Sequence, residues 1–133
     1  MRLVPRFLRQ QGGAEAAEFA LVLPLLAGLT IGVMEMLLVL FANTALHFAV
    51  DDAARCMSVN TLICTDAAST QVYAASHYTG PPISPVFTAA AARCGDPTTG
   101  PTGSLVSATG QWRINAIVFR MTVPLSARAC FPT

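Results

Sequence analysis

The chain has 133 residues, enough for one small domain, and its composition is strongly apolar. Hydrophobic residues make up 53% of it and charged residues 11%, whereas soluble domains carry roughly 25% charged residues. These values exclude an ordinary cytosolic domain and a disordered chain, because both need more charge. The net charge of +1 excludes a general electrostatic binder of nucleic acid.

The apolar residues are concentrated in the first third of the chain. Residues 19–34 carry no charge, Glu35 follows, and residues 36–50 are again uncharged. A helix over residues 19–42 would be roughly 36 Å long, and the hydrocarbon core of a bilayer is ~30 Å thick. We therefore predict that a helix over residues 14–57 crosses a membrane once, with its span at about residues 19–42.

The charges that flank this span predict its orientation. Arg2, Arg6 and Arg9 precede it, whereas Asp51 and Asp52 follow it. The basic residues on the N-terminal side predict a cytoplasmic N-terminus and an exported C-terminal domain. Because the apolar stretch is longer than that of a secretory signal and no A-x-A-like site follows it closely, we expect the chain to stay in the membrane. The alternative is a secreted domain released by cleavage behind the helix.

A short basic leader ends in glycine in front of the apolar helix. Gly13 is followed five residues later by Glu18, then by Phe19 and an unbroken apolar run. This arrangement resembles the processing site of type IV prepilins, where a membrane aspartyl peptidase cuts after the glycine. The resemblance implies a cut between Gly13 and Ala14 that removes residues 1–13. Glycine suits the position because no side chain obstructs a peptidase that holds extended backbone. In the other interpretation, the glycine merely precedes an ordinary transmembrane helix.

Further residues of the helix resemble one particular group of type IV pilin-like proteins. They are the pair Glu18-Phe19, the pair Leu23-Pro24, the run Gly32-Val33-Met34-Glu35 and the helix end Asp52-Ala53-Ala54-Arg55. Over residues 12–56 the chain resembles the TadE/TadF-like pseudopilins of tight-adherence (Tad) pilus systems. The resemblance implies a bacterial inner-membrane minor pilin with a periplasmic domain, matured by a prepilin peptidase. Its partners would be the membrane, other pilins and the pilus assembly machinery, with or without entry into the extracellular pilus. Whether the chain is TadE-like or TadF-like stays open.

Two glutamates in the helix need partners. The pilin resemblance implies that Glu18 pairs with the N-terminal amine of a neighbouring subunit and so sets its axial register. The alternative is an acid that interacts with the positive end of the helix dipole, which is worth about 0.3–1 kcal/mol. Glu35 lies on one stripe with Pro24, Gly28 and Gly32, and the two glycines form a GxxxG motif. We predict that this stripe packs against another helix and that Pro24 kinks the chain.

The exported domain, residues 58–133, is predicted to be a small disulfide-bonded α+β unit. Four cysteines allow three pairings, of which we favour Cys56 with Cys64 and Cys94 with Cys130, since the first closes a short loop at the helix end.

The predicted elements of this domain follow from its sequence patterns. We expect a helix over 65–78, a short alanine helix over 88–93 and a loop over 95–103. An antiparallel pair of strands should follow, over 105–112 and 117–125, in which Pro124 marks a strand end or an edge. The predicted buried stripe of the helix over 65–78 comprises Ala67, Ala68, Val72, Ala75 and Tyr78.

No pattern in the sequence points to catalysis. The stretch 95–102 lacks the lysine of a phosphate-binding loop, because Pro101 stands in its place. Asp51 and Asp52 are adjacent on a helix and point apart, and His47 and His77 have no ligand cluster beside them. We therefore expect no enzyme, no metal, no cofactor and no small-molecule substrate. The alternative function is an uncleaved single-pass membrane protein whose periplasmic domain serves as a binding or scaffold module of an envelope complex.

Overall fold

The structure, a computed structural model, describes residues 12–115 and 120–133. Its elements in chain order are α1 (Gly12–Val59), α2 (Ala67–His77), β1 (Val86–Arg93), β2 (Thr102–Asn115) and β3 (Arg120–Pro132). The strands form one antiparallel sheet in the order β1-β2-β3. The described residues fall into two compact units, one that ends at Met36 and one that comprises Leu37–Thr133, here called the cap unit. The predicted α+β class is confirmed.

Helix α1 changes its environment along its length. It has 48 residues, including Pro24, and is slightly longer than the helix predicted over residues 14–57. The large apolar side chains from Phe19 to Phe41 are exposed, with the exception of the half-buried Val39. From Ala42 onward one face is buried at helical spacing, and that face comprises Ala42, Leu46, Ala49, Val50 and Ala53.

The core of the cap unit lies between this face of α1 and one face of the sheet. The sheet contributes alternate residues, as expected where one face is covered: Phe87 from β1, Val106 and Ala108 from β2, and Leu125, Ala127 and Ala129 from β3. Ile83 and Ala74 complete the cluster, and the half-buried Trp112 packs against it. The C-terminal part of α1 therefore belongs to the core of the cap unit, whereas its N-terminal part is the segment that the sequence predicts to cross the membrane.

Helix α2 begins with a reciprocal cap. The Ser69 backbone N–H donates to Asp66 Oδ1 at 2.7 Å, and the Asp66 N–H donates to Ser69 Oγ at 3.0 Å. The predicted buried stripe of this helix is wrong, because Thr70 and Ala74 are the buried residues and Val72 is 70% exposed. A stripe chosen from apolar residues alone passes over Thr70, which is buried because its hydroxyl donates to the Asp66 carbonyl at 2.7 Å.

The predicted alanine helix over 88–93 is also wrong, because this segment belongs to strand β1. All eight residues of β1 pair with β2, from Val86 opposite Thr109 to Arg93 opposite Thr102. Phe87 is buried against the core, and the sheet satisfies the backbone of the alanines that follow. The helix preference of alanine is small per residue, and tertiary pairing overrides it.

The two predicted strands are confirmed in the described residues, and both are longer than expected. β2 pairs with β3 from Gly103 opposite Pro132 to Asn115 opposite Arg120. The predicted inward residues Val123 and Leu125 face the core, whereas Met121 is 51% exposed. Ile117 and Phe119 lie outside the described residues. β3 is an edge strand, as Pro124 indicates.

Two disulfides fix the ends of the cap's elements. Cys56 near the end of α1 bonds to Cys64, and Cys94 just after β1 bonds to Cys130 on β3. These are the pairs that the spacing favoured. Gly103 on β2 lies under the second bond, and a Cβ there would sit 2.6 Å from Cys94 Sγ.

Candidate functional site

The candidate site is the exposed apolar surface of α1 between Phe19 and Phe41. Leu21 is 78% exposed and Leu25 is 74% exposed, and their neighbours around the helix are exposed as well. An apolar surface of this extent marks contact with a membrane or with another protein. The surface spans 23 residues, which corresponds to roughly 34 Å of helix. α1 is long and apolar enough to cross a membrane.

The hydroxyl of Thr30, within this surface, and that of Thr44, just beyond it, are satisfied by the helix itself. The Thr30 hydroxyl donates to the carbonyl of Ala27 at 2.9 Å, and the Thr44 hydroxyl donates to that of Leu40 at 2.9 Å. Such internal bonds are what a helix in lipid requires, because hydrocarbon offers no partner to a hydroxyl. Both threonines are therefore compatible with an apolar surrounding.

The predicted packing stripe lies open on this helix. A Cβ built on Gly28 or on Gly32 would meet no atom within 4 Å. Pro24 lies within the helix on the same stripe, and Glu35 is half-buried. The chain's own fold therefore leaves the GxxxG surface accessible, and close approach of a second helix would meet no side chain at these two positions.

The predicted processing residues lie at the start of α1. Gly13 and Ala14 are in its first turn, and a Cβ on Gly13 would meet no atom within 4 Å. The leader up to residue 11, with its arginines, and the side chain of Ala14 lie outside the described residues. Glu18 and Phe19 are both exposed, one turn further along the helix.

A polar cluster that the sequence did not predict ties α2 to α1. The Tyr73 hydroxyl donates to Asp52 Oδ2 at 2.9 Å, and the Tyr73 and His77 rings stack with their centroids 3.9 Å apart. The hydrogen bond to Asp52 raises the pKa of Tyr73 above its usual 10.0. The partners are 21 residues apart in sequence, so no local pattern could have revealed the contact.

A cleft of about 740 Å³ opens beside the sheet in the cap unit. Its walls include Ile83 and Val86 from one segment and Trp112, Arg113 and Leu125 from β2 and β3. No pattern in the sequence predicted this cleft. Trp112 is the chain's one tryptophan, and a lone large aromatic beside an arginine was the only sequence signal that pointed to it.

The loop over residues 95–102, which lacks the lysine of a phosphate-binding motif, is held by its own aspartate. Asp96 Oδ1 accepts hydrogen bonds from the Thr98 hydroxyl at 2.6 Å and from its N–H at 2.7 Å. These bonds lower the pKa of Asp96 below its usual 3.8. Among the residues that the structure describes, no three His, Cys, Asp or Glu side chains are grouped so that they could hold a metal ion.

Comparison with known proteins relates the N-terminal region of the chain to one protein family. Residues 13–55 match the family model described as TadE-like protein. The match begins at Gly13 and ends at Arg55, and it thus contains the whole exposed apolar surface of α1. No curated protein and no solved structure matches the chain.

Proposed function

From the match of residues 13–55 to the TadE-like family, we propose that this chain is a minor pilin that takes part in assembling a Tad pilus. It would be matured by prepilin peptidase cleavage after Gly13 and held in the inner membrane by α1 until assembly. The role is structural rather than catalytic. The observation that carries the proposal is the coincidence of the family match with a long, exposed, apolar helix that begins at Gly12.

The exposed surface of α1 gives this proposal its physical basis. A span of roughly 34 Å fits a hydrocarbon core of ~30 Å, and the burial of α1 in the cap begins at Ala42, where such a span would end. In a filament, the same apolar surface would pack against the helices of neighbouring subunits. One helix can therefore serve first as a lipid anchor and then as an assembly surface.

Within the helix, we assign distinct roles to its two acidic positions. Glu18 would pair with the α-amino group that cleavage creates on Ala14 of a neighbouring subunit, since that amine is largely protonated at neutral pH. Gly28, Gly32 and Glu35 would form the surface against which a second helix packs. The open space at Gly28 and Gly32, where an added Cβ would meet no atom within 4 Å, supports an interface on this stripe.

Cleavage after Gly13 is tested by substituting Gly13, and the same substitution at Gly12 is the control. In cells that contain the peptidase, mass spectrometry of the membrane protein should find Ala14 at the N-terminus. Gly13→Val should abolish the cut, because a branched side chain blocks the close approach of the peptidase to the backbone, whereas Gly12→Val should be processed. An intact N-terminus in the unaltered protein would refute the cleavage.

The role of Glu18 in setting the axial register of a neighbouring subunit is tested by comparing Glu18→Ala with Glu15→Ala. Both variants should insert into the membrane and fold, as shown by fractionation and by the Trp112 fluorescence of the cap. Only Glu18→Ala should reduce piliation, counted on electron micrographs of cells. Normal piliation in Glu18→Ala would remove this residue from the mechanism, and equal loss in both variants would point to the helix dipole instead of a specific pair.

A further inference from the structure

The strands β2 and β3 extend beyond the core of the cap unit. Trp112 is the last inward-facing residue of β2 that packs against the core. The next pair on this face is Ile114 with Met121, and Met121 is 51% exposed. Residues 113–115 and 120–122, here called the sheet end, therefore lie past the core, and their inner face is apolar.

The outer face of the sheet end carries two arginines. Arg113 stands opposite Thr122, and Arg120 precedes Thr122 by two residues on β3, so Arg120 is the diagonal neighbour of Arg113. Residues in this relation on one face of a sheet are roughly 7–8 Å apart. Both arginines are exposed, and no acidic residue follows Asp96 in the sequence. Two guanidinium groups placed this close together favour the binding of phosphate groups.

The C-terminal ends of α1 and β3 lie together in the cap unit. The Ser58 hydroxyl donates to the Phe131 carbonyl at 3.2 Å. From this contact, β3 runs back toward Arg120, and α1 runs back toward Leu37, the first residue of the cap unit. The two elements therefore start from one common level.

A second contact shows that the two elements run side by side from there. A Cβ on Gly80 would lie 2.8 Å from the Ala45 Cβ, and a Cβ on Gly110 would lie 2.6 Å from Ile83. Gly80 and Ile83 are three residues apart in sequence, which is at most ~11 Å. Ala45 on α1 and Gly110 on β2, which pairs with Leu125, therefore lie at about the same level.

Lengths along the two elements locate the sheet end within the cap unit. From the hydroxyl contact, Ala45 is about 20 Å away along the helix, and Leu125 is about 20 Å away along the strand. From that level, Arg120 is a further ~17 Å along the strand, whereas Leu37 is only ~12 Å along the helix. The sheet end therefore reaches the level of residues 37–41, in which the leucines and the phenylalanine are exposed.

Residues 37–41 are the part of the cap unit that continues the apolar surface of α1. We propose that the sheet end binds the surface of the membrane that α1 spans. The guanidinium groups of Arg113 and Arg120 bind the phosphates of anionic phospholipids, while Ile114 and Met121 contact the adjoining acyl chains. This inference rests on the membrane anchoring of α1 in the proposed function, but neither on processing nor on pilus assembly.

Position and composition favour a bilayer over a protein as the partner of the sheet end. Because the sheet end lies level with residues 37–41, the anchor itself brings it to the headgroups. Arginine suits this boundary, since its apolar stem lies along lipid while its guanidinium group binds phosphate. In sequence, residues 116–119 between the two strands are Ala-Ile-Val-Phe and carry no charge. Attachment of the cap at two points would fix its tilt on the membrane.

The test uses the full-length, ¹⁵N-labelled protein in nanodiscs that contain a phospholipid with a nitroxide on its headgroup. One preparation has phosphatidylcholine as its only other lipid, and the second also contains phosphatidylglycerol. In the anionic nanodiscs, the amide resonances of residues 113–115 and 120–122 should be broadened. Those of residues 103–105 and 130–132, at the far end of the sheet, should not be. In the neutral nanodiscs the broadening should be much weaker, because each arginine near an anionic surface strengthens binding by about five-fold.

Substitutions of three arginines separate the sheet end from general attraction to a basic domain. Arg113→Gln and Arg120→Gln should each weaken docking to anionic nanodiscs by about five-fold. Arg128→Gln is the matched control, since Arg128 is exposed on the same face of β3, roughly 26 Å from Arg120. It should leave the broadening unchanged. Unaltered resonances of the core, such as that of Val106, would show that each variant is folded.

Several results would overturn the proposal. They are equal broadening in neutral and anionic nanodiscs, equal effects of Arg120→Gln and Arg128→Gln, and broadening that is absent from the sheet end. If inorganic phosphate added to neutral nanodiscs shifts the sheet-end resonances, the arginines form a site for a free anion, which also overturns it.

The amide of Leu29 distinguishes this failure from failure of the proposed function. If a water-soluble relaxation agent reaches that amide, α1 is not in the bilayer, and both proposals fail. If the amide is protected while the sheet end is not broadened, only the docking of the sheet end is refuted.

Discussion

Replacement of Leu46 by alanine should unfold the cap unit far more readily than the same replacement elsewhere on α1. Leu46 is 0% exposed in the core, whereas Leu29, on the same helix, is 63% exposed. Truncation of a fully buried leucine costs about 2–5 kcal/mol, because apolar contact is lost and a cavity remains. For a unit of this size, that loss lowers the Tm by at least about 8 °C.

Trp112 provides the measurement. It is the chain's one tryptophan and packs against the core, so its fluorescence reports the unfolding of the cap and not of the apolar surface. Thermal and denaturant unfolding of the oxidised, full-length protein in one detergent should give a large decrease for Leu46→Ala and no measurable change for Leu29→Ala. If Leu46→Ala does not fold, Val50→Ala offers a smaller truncation, expected to cost about 1–3 kcal/mol.

Equal effects of the two leucine variants would refute the conclusion that α1 is exposed up to Phe41 and packs into the core from Ala42 onward. They would mean either that Leu46 is not part of a packed core or that the exposed surface contributes to the stability of the cap. A loss for Leu29→Ala alone would reverse the assignment altogether. A change in the denaturant slope without a change in midpoint would show a less compact native or unfolded state and would not support the predicted loss of packing.

Other perturbations act on the ends of the cap's elements. Removal of the Cys94–Cys130 bond by paired serine substitutions should cost about 4 kcal/mol in a chain-entropy treatment, against about 2.5 for the shorter loop of the other disulfide; denaturant midpoints of the two double variants check the order. Gly103→Ala should lower the stability by about 1–3 kcal/mol, since its Cβ would lie 2.5 Å from the carbonyl oxygen of Phe131. The Ser69 backbone N–H lowers the pKa of Asp66 below 3.8, so the stability that this carboxylate provides is present above the unfolded pKa and is lost as the pH falls through the folded one. Asp66→Asn should therefore reduce the acid sensitivity of helix α2, measured by circular dichroism between pH 6 and pH 2.

The parts of the fold that the sequence predicted depend on strong local patterns. The helix α1 was predicted from the length of its uncharged apolar run, and β3 was predicted from the alternation of apolar residues up to Leu125. Of the three possible cysteine pairings, the favoured one is confirmed, and the short loop at the end of α1 between Cys56 and Cys64 was the reason for favouring it. None of these features needed knowledge of which elements pack together.

The parts that the sequence did not predict depend on distant partners. β1 is a strand because β2 lies beside it, and a run of four alanines has no pattern of its own that favours this over a helix. The buried face of α2 includes Thr70, whose hydroxyl is satisfied only by its own helix start. The cleft forms because β2 is longer than its pairing with β1, a difference that appears only when the register is known.

The boundary between exposed and buried residues on α1 determines how the cap could be studied in water. Leu37, Leu40 and Phe41 belong to the cap unit, yet their side chains are more than half exposed. A fragment that begins at residue 37 would keep this apolar surface, of which only the half-buried Val39 packs against the core, so it should aggregate in the absence of detergent. A fragment that begins at Ala42 retains the whole buried face of the helix and both disulfides, and we expect it to be monomeric by size-exclusion chromatography. Aggregation of both fragments to the same extent would show that the apolar surface of the cap extends beyond these residues.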